Sequence, residues 1–395
     1  MIKNRIASVQ QVLRQKKEPS AFIITSEQNR RYMTDIATSS GYVIITPGNQ
    51  YFLTDSRYIE SAKKSIGKFY TVELYPKKHE MKSYYAGLLK KENISNILYE
   101  ENYILLKSKK YFDGLFEGFK FSESENLIEN MRKIKDSTEI ENIAKAQGIT
   151  DAAFTHILKM ISSGIKTITE TDIAAEVEYF MKKNGAEKAA FDIIAVSGKK
   201  SSYPHGKPEN VKLSKGFLTM DFGAVYNGYC SDMTRTICIG KPDKKMREVY
   251  NIVSAAQLAA LDMIKAGIEG LAVDKAARGI IRSNGYGGNF GHGLGHSLGL
   301  EIHESPSFPF SESAEEEKER LEREENEKRE DLKKFNEKKQ KEEKEKFILA
   351  ENIVITVEPG IYIEDKFGVR IEDLVVVKKD GCKNLTRSNK DLIEL

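Results

Sequence analysis

The sequence predicts a mixed α/β (α+β) protein with two domains, of which the second contains an internal duplication. Helix-like and strand-like runs alternate in residues 1–130. In residues 131–395 the same order of elements occurs twice: two helices are followed by a hairpin that carries two acids. Such a repeat is typical of two halves related by a pseudo-twofold axis. An almost wholly charged stretch at 311–346 interrupts the second half. Such a stretch cannot bury a core, so we expect an insertion within the second domain.

Composition excludes several classes of protein. The chain has 395 residues, enough for two or three domains with sizeable cores. Its net charge of +3 is too small to indicate a nucleic-acid or membrane partner. No apolar run approaches the roughly 20 residues that a membrane span requires. The polar N-terminus lacks the apolar core of a signal peptide, and three cysteines do not make a disulfide framework. We therefore expect a cytoplasmic protein.

Residues 1–130 form the predicted first domain. A helix is expected over about residues 3–16, a buried strand at 21–25 and a hairpin at 41–55. No phosphate-binding glycine loop and no nucleophile elbow occurs in this region, which favours a structural or oligomerisation role. Further helices are expected at 56–64, 82–91 and 109–118, alternating with strands at 71–75 and 96–100.

Two helices open the second domain. Asp136 and Glu139 have the spacing of a capping box, and apolar residues follow at helical intervals. Thr169 and Asp172 predict the start of a second helix, which is expected to stop at the Asn-Gly pair of residues 184–185.

The first acidic hairpin spans residues 217–240. Asn227-Gly228 is a strong signal for a two-residue turn. Because side chains alternate faces along a strand, this turn places Asp221 and Asp232 on one face as diagonal neighbours, roughly 7–8 Å apart at the backbone. Two carboxylates on a half-buried face are costly unless a cation lies between them. A metal ion is one interpretation, and two surface acids on a solvated hairpin are the other.

The second half repeats this order. A helix is expected over about 244–265, and the next helix ends at residues 284–285, again an Asn-Gly pair. A second hairpin follows at 352–377 and carries Glu358 and Glu372 among apolar residues. A turn that pairs even-numbered with even-numbered residues would place both acids on one face. The duplication would then bring four carboxylates to one centre.

A glycine-rich segment at 289–306 contains three of the six histidines. His292 and His296 have the spacing of a zinc pair on a helix, and His303 follows. The density of glycines argues against a regular helix and allows the backbone to approach a neighbour closely. One histidine alone would more often be structural, but three beside four acids favour a functional cluster.

The charged stretch 311–346 admits several conformations. A solvated helix, a helical hairpin and disorder are all compatible with its charges. We interpret it as a partly helical protrusion without a catalytic role; the alternative is a partner-binding arm.

Four carboxylates and an imidazole are a ligand set that suits Mn²⁺, Co²⁺ or Zn²⁺. Two such ions, about 3.5–4 Å apart, can activate a bridging water and stabilise a tetrahedral intermediate. Hydrolysis of an amide or ester is the reaction that this kind of site supports best.

The motifs MDFGAVYNGYCSDMTRT, GHGLGHSLGLEIHE, VEPGIY and VRIED, in this order, resemble the metal-binding motifs of the M24 "pita-bread" metallopeptidases. Within that family the chain is most similar to aminopeptidase P and the prolidase-type Xaa-Pro dipeptidases. Residues 1–130 resemble their creatinase-like N-terminal domain, and 131–395 resemble the pita-bread domain, with 311–346 as a departure from the family pattern. The resemblance covers nearly the whole chain apart from that insertion.

The resemblance implies specific roles for ten residues. It implies that a water bridging two metal ions, of which Mn²⁺ is the first choice, hydrolyses the bond between an N-terminal residue and proline. The implied bridging ligands are Asp232 and Glu372, and Glu358 would also take part in proton transfer. The implied metal ligands are Asp221, Asp232, His296, Glu358 and Glu372, and the implied substrate-binding and proton-transferring residues are His205, His292, His303, Glu358, Tyr362 and Arg370.

Some alternatives remain open at the level of sequence. Creatinase shares the fold without the metal ligands, and all five are present here, which disfavours a non-metal function. A non-enzymatic binding protein with the charged insertion as its interaction arm is the second hypothesis. The resemblance implies a homodimer acting on peptides with proline in second position, and the sequence does not separate an aminopeptidase from a dipeptidase.

Overall fold

The computed structural model describes residues 1–164, 167–309 and 347–395. The predicted insertion at 311–346 lies outside the described residues. The chain divides into two compact units, Met1–Arg132 and Lys133–Leu395, beside the domain boundary expected after residue 130.

The first unit is built on a six-stranded mixed sheet in the order β4-β3-β2-β1-β5-β6. Strand β1 is buried at all five positions, as its apolar sequence predicts, and it pairs antiparallel with β2 and parallel with β5. The predicted first helix, strand and hairpin are confirmed, whereas α2, β6 and α6 were not predicted. The elements are α1 Ile2–Gln15, β1 Ser20–Ile24, α2 Glu27–Thr34, β2 Tyr42–Ile45, β3 Gln50–Thr54, α3 Ile59–Ile66, β4 Thr71–Leu74, α4 Met81–Lys91, β5 Asn96–Tyr99, α5 Leu106–Leu115, β6 Lys120–Glu123 and α6 Leu127–Lys133.

The second unit repeats a pair of helices followed by a hairpin, as the sequence predicts. The first half comprises α7 Ser137–Gly164, α8 Glu170–Lys183, β7 Lys188–Ala189, β8 Ile194–Ser197, β9 Gly216–Asp221, β10 Ala224–Tyr226, β11 Tyr229–Cys230 and β12 Thr234–Ile239. The second half comprises α9 Lys244–Met263, α10 Gly270–Ser283, β13 His296–Ser297, β14 Glu304–Ser307, β15 Val354–Val357, β16 Gly360–Ile363, β17 Phe367–Arg370, β18 Asp373–Lys378 and β19 Gly381–Asn384.

The predicted capping boxes form at the starts of two helices. The backbone N–H of Asp136 donates to Glu139 Oε2, and that of Glu139 donates to Asp136 Oδ1, both over 2.9 Å. Thr169 and Asp172 form a complete capping box at the start of α8. These reciprocal bonds satisfy backbone donors that a helix leaves unpaired at its first turn.

The first acidic hairpin changes sheets halfway along its length. Asn227 and Gly228 have φ values of 47° and 82°, as a type I′ turn requires. Strands β10 and β11 pair near this turn and join β7, whereas β9 and β12 pair further out and join β8. Residues 222–223 and 231–233 form the break between the two ladders. Asp221 immediately precedes this break, and Asp232 lies within it.

The second hairpin has a break at the corresponding place. Val357 pairs with Asp373 in the outer ladder, and Gly360 pairs with Arg370 in the inner ladder. The register is the same on both sides of the break, so Glu358 falls opposite Glu372. The predicted even-to-even pairing is therefore confirmed.

Each half of the second unit has its own hydrophobic core. In the first half, Phe154 and Ile157 of α7 belong to the same cluster as Leu218 and Met220 of β9. In the second half, α9 and α10 contribute to a cluster that includes β15 and β17. Two cores of similar composition beneath two similar hairpins are consistent with a duplicated architecture.

Across residues 1–164, 167–309 and 347–395, no helix combines the length and the apolar character that crossing a membrane requires.

Replacing Gly223 tests the close approach of the chains at the first break. A Cβ atom on Gly223 would lie 1.8 Å from the carbonyl oxygen of Ser231, so the hairpin must shift to admit it. We expect Gly223→Ala to lower the free energy of unfolding by about 3 kcal/mol, measured by denaturant titration.

The matched control is Gly279→Ala, at an exposed position within α10 where a Cβ meets no atom within 4 Å. Alanine at such a helical site should stabilise by about 0.5–1 kcal/mol. Similar free-energy changes for the two variants would contradict the close approach at Gly223.

Candidate metal centre

Three acids from the two hairpins form a buried cluster. One carboxylate oxygen from each of Asp221, Asp232 and Glu372 lies within 4.8 Å of the others. The three residues expose 9%, 5% and 1% of their surfaces, respectively. The cluster exists because both hairpins break at their acids, which places side chains from two separate ladders side by side.

His296 and Glu358 complete the group of predicted ligands. His296 Nε2 lies 3.6 Å from Asp232 Oδ2 and 3.5 Å from Glu358 Oε1. The backbone N–H of His296 donates to Thr356 Oγ1 over 3.0 Å, which ties β13 to β15. Gly295 permits this approach, because a Cβ there would lie 2.2 Å from the carbonyl oxygen of Thr356. The glycine-rich segment thus brings its histidine against the acidic strand.

The electrostatics of the cluster favour the binding of a cation. Burial raises the pKa values of Asp232 and Glu372 well above the ordinary carboxyl range, and the neighbouring carboxylates raise them further. Burial also raises the pKa of Glu358 to about 7, although the nearby Arg370 opposes the shift. A divalent cation among these groups would favour their ionised forms.

Two orphaned oxygens show that the residues fit such a cation. Asp221 Oδ2 accepts a hydrogen bond from Arg370 Nη2 over 2.6 Å, and Glu372 Oε2 accepts one from Thr234 Oγ1 over 2.6 Å. The other oxygens, Asp221 Oδ1 and Glu372 Oε1, are buried and have no hydrogen-bond partner within the described residues. A buried acceptor without a partner is costly. In both Asp221 and Glu372, one carboxylate oxygen therefore accepts a hydrogen bond, and the other oxygen can bind a metal ion.

Two partly buried histidines of the site are neutral near pH 7. Burial, together with the neighbouring His303, lowers the pKa of His296 to about 4. Burial and the charge of Arg370 lower the pKa of His292 to about 4. Neutral imidazole is the form that binds metals and offers one donor and one acceptor.

Arg370 connects the cluster to the residues behind it. Its Nη1 donates to Tyr362 Oη over 2.8 Å, and its Nε donates to Thr234 Oγ1 over 2.9 Å. Tyr362 Oη lies 3.0 Å from His292 Nε2. The guanidinium thereby fixes the positions of one acid, one threonine and one tyrosine at once.

A cavity of about 880 Å³ borders the cluster. All of the residues singled out in the sequence line it except Tyr362, which lies one hydrogen bond behind Arg370 and His292. His205 reaches the wall from the loop that follows β8, and the ring of His303 lies against that of His296 with centroids 4.4 Å apart.

Two threonines that orient the acids were missed at the level of sequence. Thr234 donates to Glu372, and Thr356 donates to Glu358 Oε1 over 3.1 Å. Each lies two residues from an acid of its own hairpin, Thr234 after Asp232 and Thr356 before Glu358. The period-2 alternation of strands could have indicated them.

Comparisons with known proteins agree with this architecture. Residues 141–379 match Metallopeptidase family M24, and residues 5–134 match the Creatinase/Prolidase N-terminal domain. The chain is 35% identical over 382 residues to the Xaa-Pro dipeptidase of Pyrococcus horikoshii, which covers 96% of this chain and 95% of that protein. It is 30% identical over 390 residues to a putative Xaa-Pro aminopeptidase of Mycoplasma genitalium, covering 98% of each.

Solved structures show the same fold. The Xaa-Pro dipeptidase from Bacillus anthracis superposes with a TM-score of 0.86 at 34% identity and full coverage of both chains. The X-Pro aminopeptidase from Thermotoga maritima gives a TM-score of 0.80 at 34% identity, covering 95% of this chain and 97% of that one. The protein is therefore an enzyme of metallopeptidase family M24, with a creatinase-type N-terminal domain followed by the family's catalytic domain.

Proposed function

We propose that this metallopeptidase hydrolyses the peptide bond between an N-terminal residue and proline, with two divalent metal ions in the acid cluster. The observation that carries the proposal is the pair of buried oxygens on Asp221 and Glu372 that have no partner within the described residues, in a cluster of three carboxylates that shares its cavity with Glu358. The relatives named Xaa-Pro dipeptidase and Xaa-Pro aminopeptidase support the choice of substrate.

Five residues would hold the ions. They are Asp221, Asp232, His296, Glu358 and Glu372, with Asp232 and Glu372 shared between the two ions. Carboxylates and one neutral imidazole suit Mn²⁺, and Co²⁺ or Zn²⁺ would also be accepted. Such ions supply Lewis-acid activation of water and of the scissile carbonyl.

Glu358 is suited to move the proton of the attacking water. An ionised carboxylate at this position can accept a proton from the attacking water and pass it on to the leaving group. Thr356 Oγ1 holds Oε1 of Glu358 in place over 3.1 Å. The same carboxylate lines the cavity in which the substrate would bind.

The histidines of the cavity wall would act on the substrate. The nitrogen of a bond to proline carries no hydrogen, so it must receive a proton before it leaves as a secondary amine. His205 and His303 line the cavity and are candidates for this proton and for binding the substrate carbonyl. His292 is fixed by Tyr362, which in turn accepts from Arg370.

The apolar part of the wall suits the pyrrolidine ring. Phe191, Ile302 and Phe308 line the cavity together with the histidines. Packing of the ring against such side chains removes apolar surface from water.

The homodimer, the cytoplasmic location and manganese as the physiological metal remain predictions.

Removing a shared ligand should abolish activity. We expect Asp232→Ala and Glu372→Ala to reduce Xaa-Pro hydrolysis to the level of buffer, because each change removes a ligand of both ions. The measurement is release of proline in assays replenished with Mn²⁺, with circular dichroism to verify folding. Undiminished hydrolysis by either folded variant would refute the proposed site.

Metal binding should also be visible in stability. Because an ion that binds only the folded state stabilises it, Mn²⁺ at about 100 times its Kd should add about 2.7 kcal/mol. We expect Glu372→Gln to lose most of this gain and to unfold at a higher temperature than wild type in chelator, since one of the mutually repelling carboxylates is gone.

The control is Glu364→Gln, which removes an exposed acid from the turn of the same hairpin. It should keep the wild-type thermal shift with Mn²⁺. A full shift in Glu372→Gln, measured by calorimetry, would count against metal binding at the cluster.

The hydroxyl group of Thr234 provides a test of whether hydrogen bonds to the metal ligands hold them in position. Thr234→Val removes the hydroxyl that bonds both Glu372 and Arg370, and we expect Mn²⁺ affinity to fall by about 10–100-fold. Thr234→Ser retains the hydroxyl and should restore most of the affinity in a calorimetric titration. Equal affinities for the valine and serine variants would show that the hydroxyl does not position Glu372.

A further inference from the structure

One cation in the cavity wall is not used by the acid cluster. The described wall carries one lysine and one arginine, Lys207 and Arg370. Arg370 is bonded to Asp221 and Tyr362. Lys207 is exposed, and across the described ranges it forms no ion pair with a carboxylate. Its ammonium group therefore remains available to a ligand in the cavity.

The backbone around Lys207 is held in place. Glu170 is 1% exposed, and its carboxylate accepts from the backbone N–H of Ser197 over 2.7 Å and from that of Glu209 over 3.2 Å. Lys200 Nζ donates to the same carboxylate over 3.0 Å. These bonds anchor both ends of the loop that contains Lys207.

The loop is further restricted beside Lys207 itself. The N–H of Gly206 donates to the carbonyl oxygen of Tyr203 over 3.1 Å. Pro208 has a fixed φ angle, and it confines the preceding residue to extended conformations. The loop thus presents the lysine from a restrained backbone, which lowers the entropy lost when the side chain binds a ligand.

The position of a charge in the substrate distinguishes two classes of peptide. In a dipeptide Xaa-Pro, the free carboxylate is on the residue whose nitrogen is being released. Each additional residue moves that carboxylate outward by up to about 3.5 Å. The free carboxylate of proline carries a full negative charge that a cation in the cavity wall would stabilise, whereas the amide of a longer peptide is neutral at that place.

We propose that Lys207 binds the free carboxylate of proline and makes the enzyme prefer Xaa-Pro dipeptides to longer peptides. This inference rests on the proposed Xaa-Pro hydrolysis and specifies its substrate class. Lys207 is a specificity-determining residue in this account, since it contacts the substrate away from the scissile bond.

The test compares Ala-Pro with Ala-Pro amide, which differ in the charge at the site that Lys207 would contact. For wild type loaded with Mn²⁺, kcat/KM should be about tenfold higher for the free acid, as expected for a charged hydrogen bond. Lys207→Met should erase this preference by raising KM for Ala-Pro, so that the free acid and the amide give similar values of kcat/KM. Lys207→Arg should retain it.

Lys199→Met is the matched control, because it removes an exposed lysine outside the cavity wall. It should keep the wild-type ratio of the two substrates. A wild-type ratio near one, an unchanged ratio in Lys207→Met, or an equal loss for both substrates would each overturn the inference.

A binding measurement separates this inference from the proposed function. If wild type hydrolyses neither substrate, the proposed function fails, and calorimetry still tests Lys207. Ala-Pro should then bind chelator-treated wild type more tightly than its amide does, and the difference should vanish in Lys207→Met. Equal affinities for the two peptides in wild type would refute the role of Lys207.

Discussion

Mutual repulsion among buried carboxylates is the constraint on which the catalytic domain depends. Asp221, Asp232 and Glu372 have oxygens within 4.8 Å of one another, and Glu358 lies on the same cavity. A fold that needed only stability would place such groups in water or pair each with a base. Here one arginine serves the cluster, and two oxygens have no partner within the described residues. Divalent cations bound among these carboxylates would relieve the repulsion and stabilise the folded state.

The surrounding structure holds these acids against their repulsion. Both hairpins exchange sheets at the acidic positions, so four strands rather than two fix the backbone of the cluster. Arg235 is fully buried behind Glu372, where it donates to the carbonyl oxygen of Thr234 over 2.9 Å and pairs with Asp373 over 2.7 Å. Lys390, near the C-terminus, also binds Asp373. The last residues of the chain therefore help to support the strand that carries Glu372.

The features that can be predicted from the sequence are those that local physical rules determine, such as turns and strand register. The Asn227-Gly228 turn fixes the register of one hairpin, and even-to-even pairing fixes that of the other, so the acid pairs follow from periodicity. The exchange of sheets does not follow, because it depends on pairing with β7 and β8, which come earlier in the chain. Helix α2 was missed because its eight residues offer few apolar positions. His205 lies in a loop without periodicity, and only family resemblance singled it out.

The most direct test of the account is a crystal structure with Mn²⁺ and an anomalous difference map at the manganese edge. Two peaks per chain are expected, about 3.5–4 Å apart, between the carboxylates of Asp221, Asp232, Glu358 and Glu372, with His296 beside one of them. Absence of a peak among these carboxylates, in crystals of protein that hydrolyses Xaa-Pro under the same conditions, would contradict it.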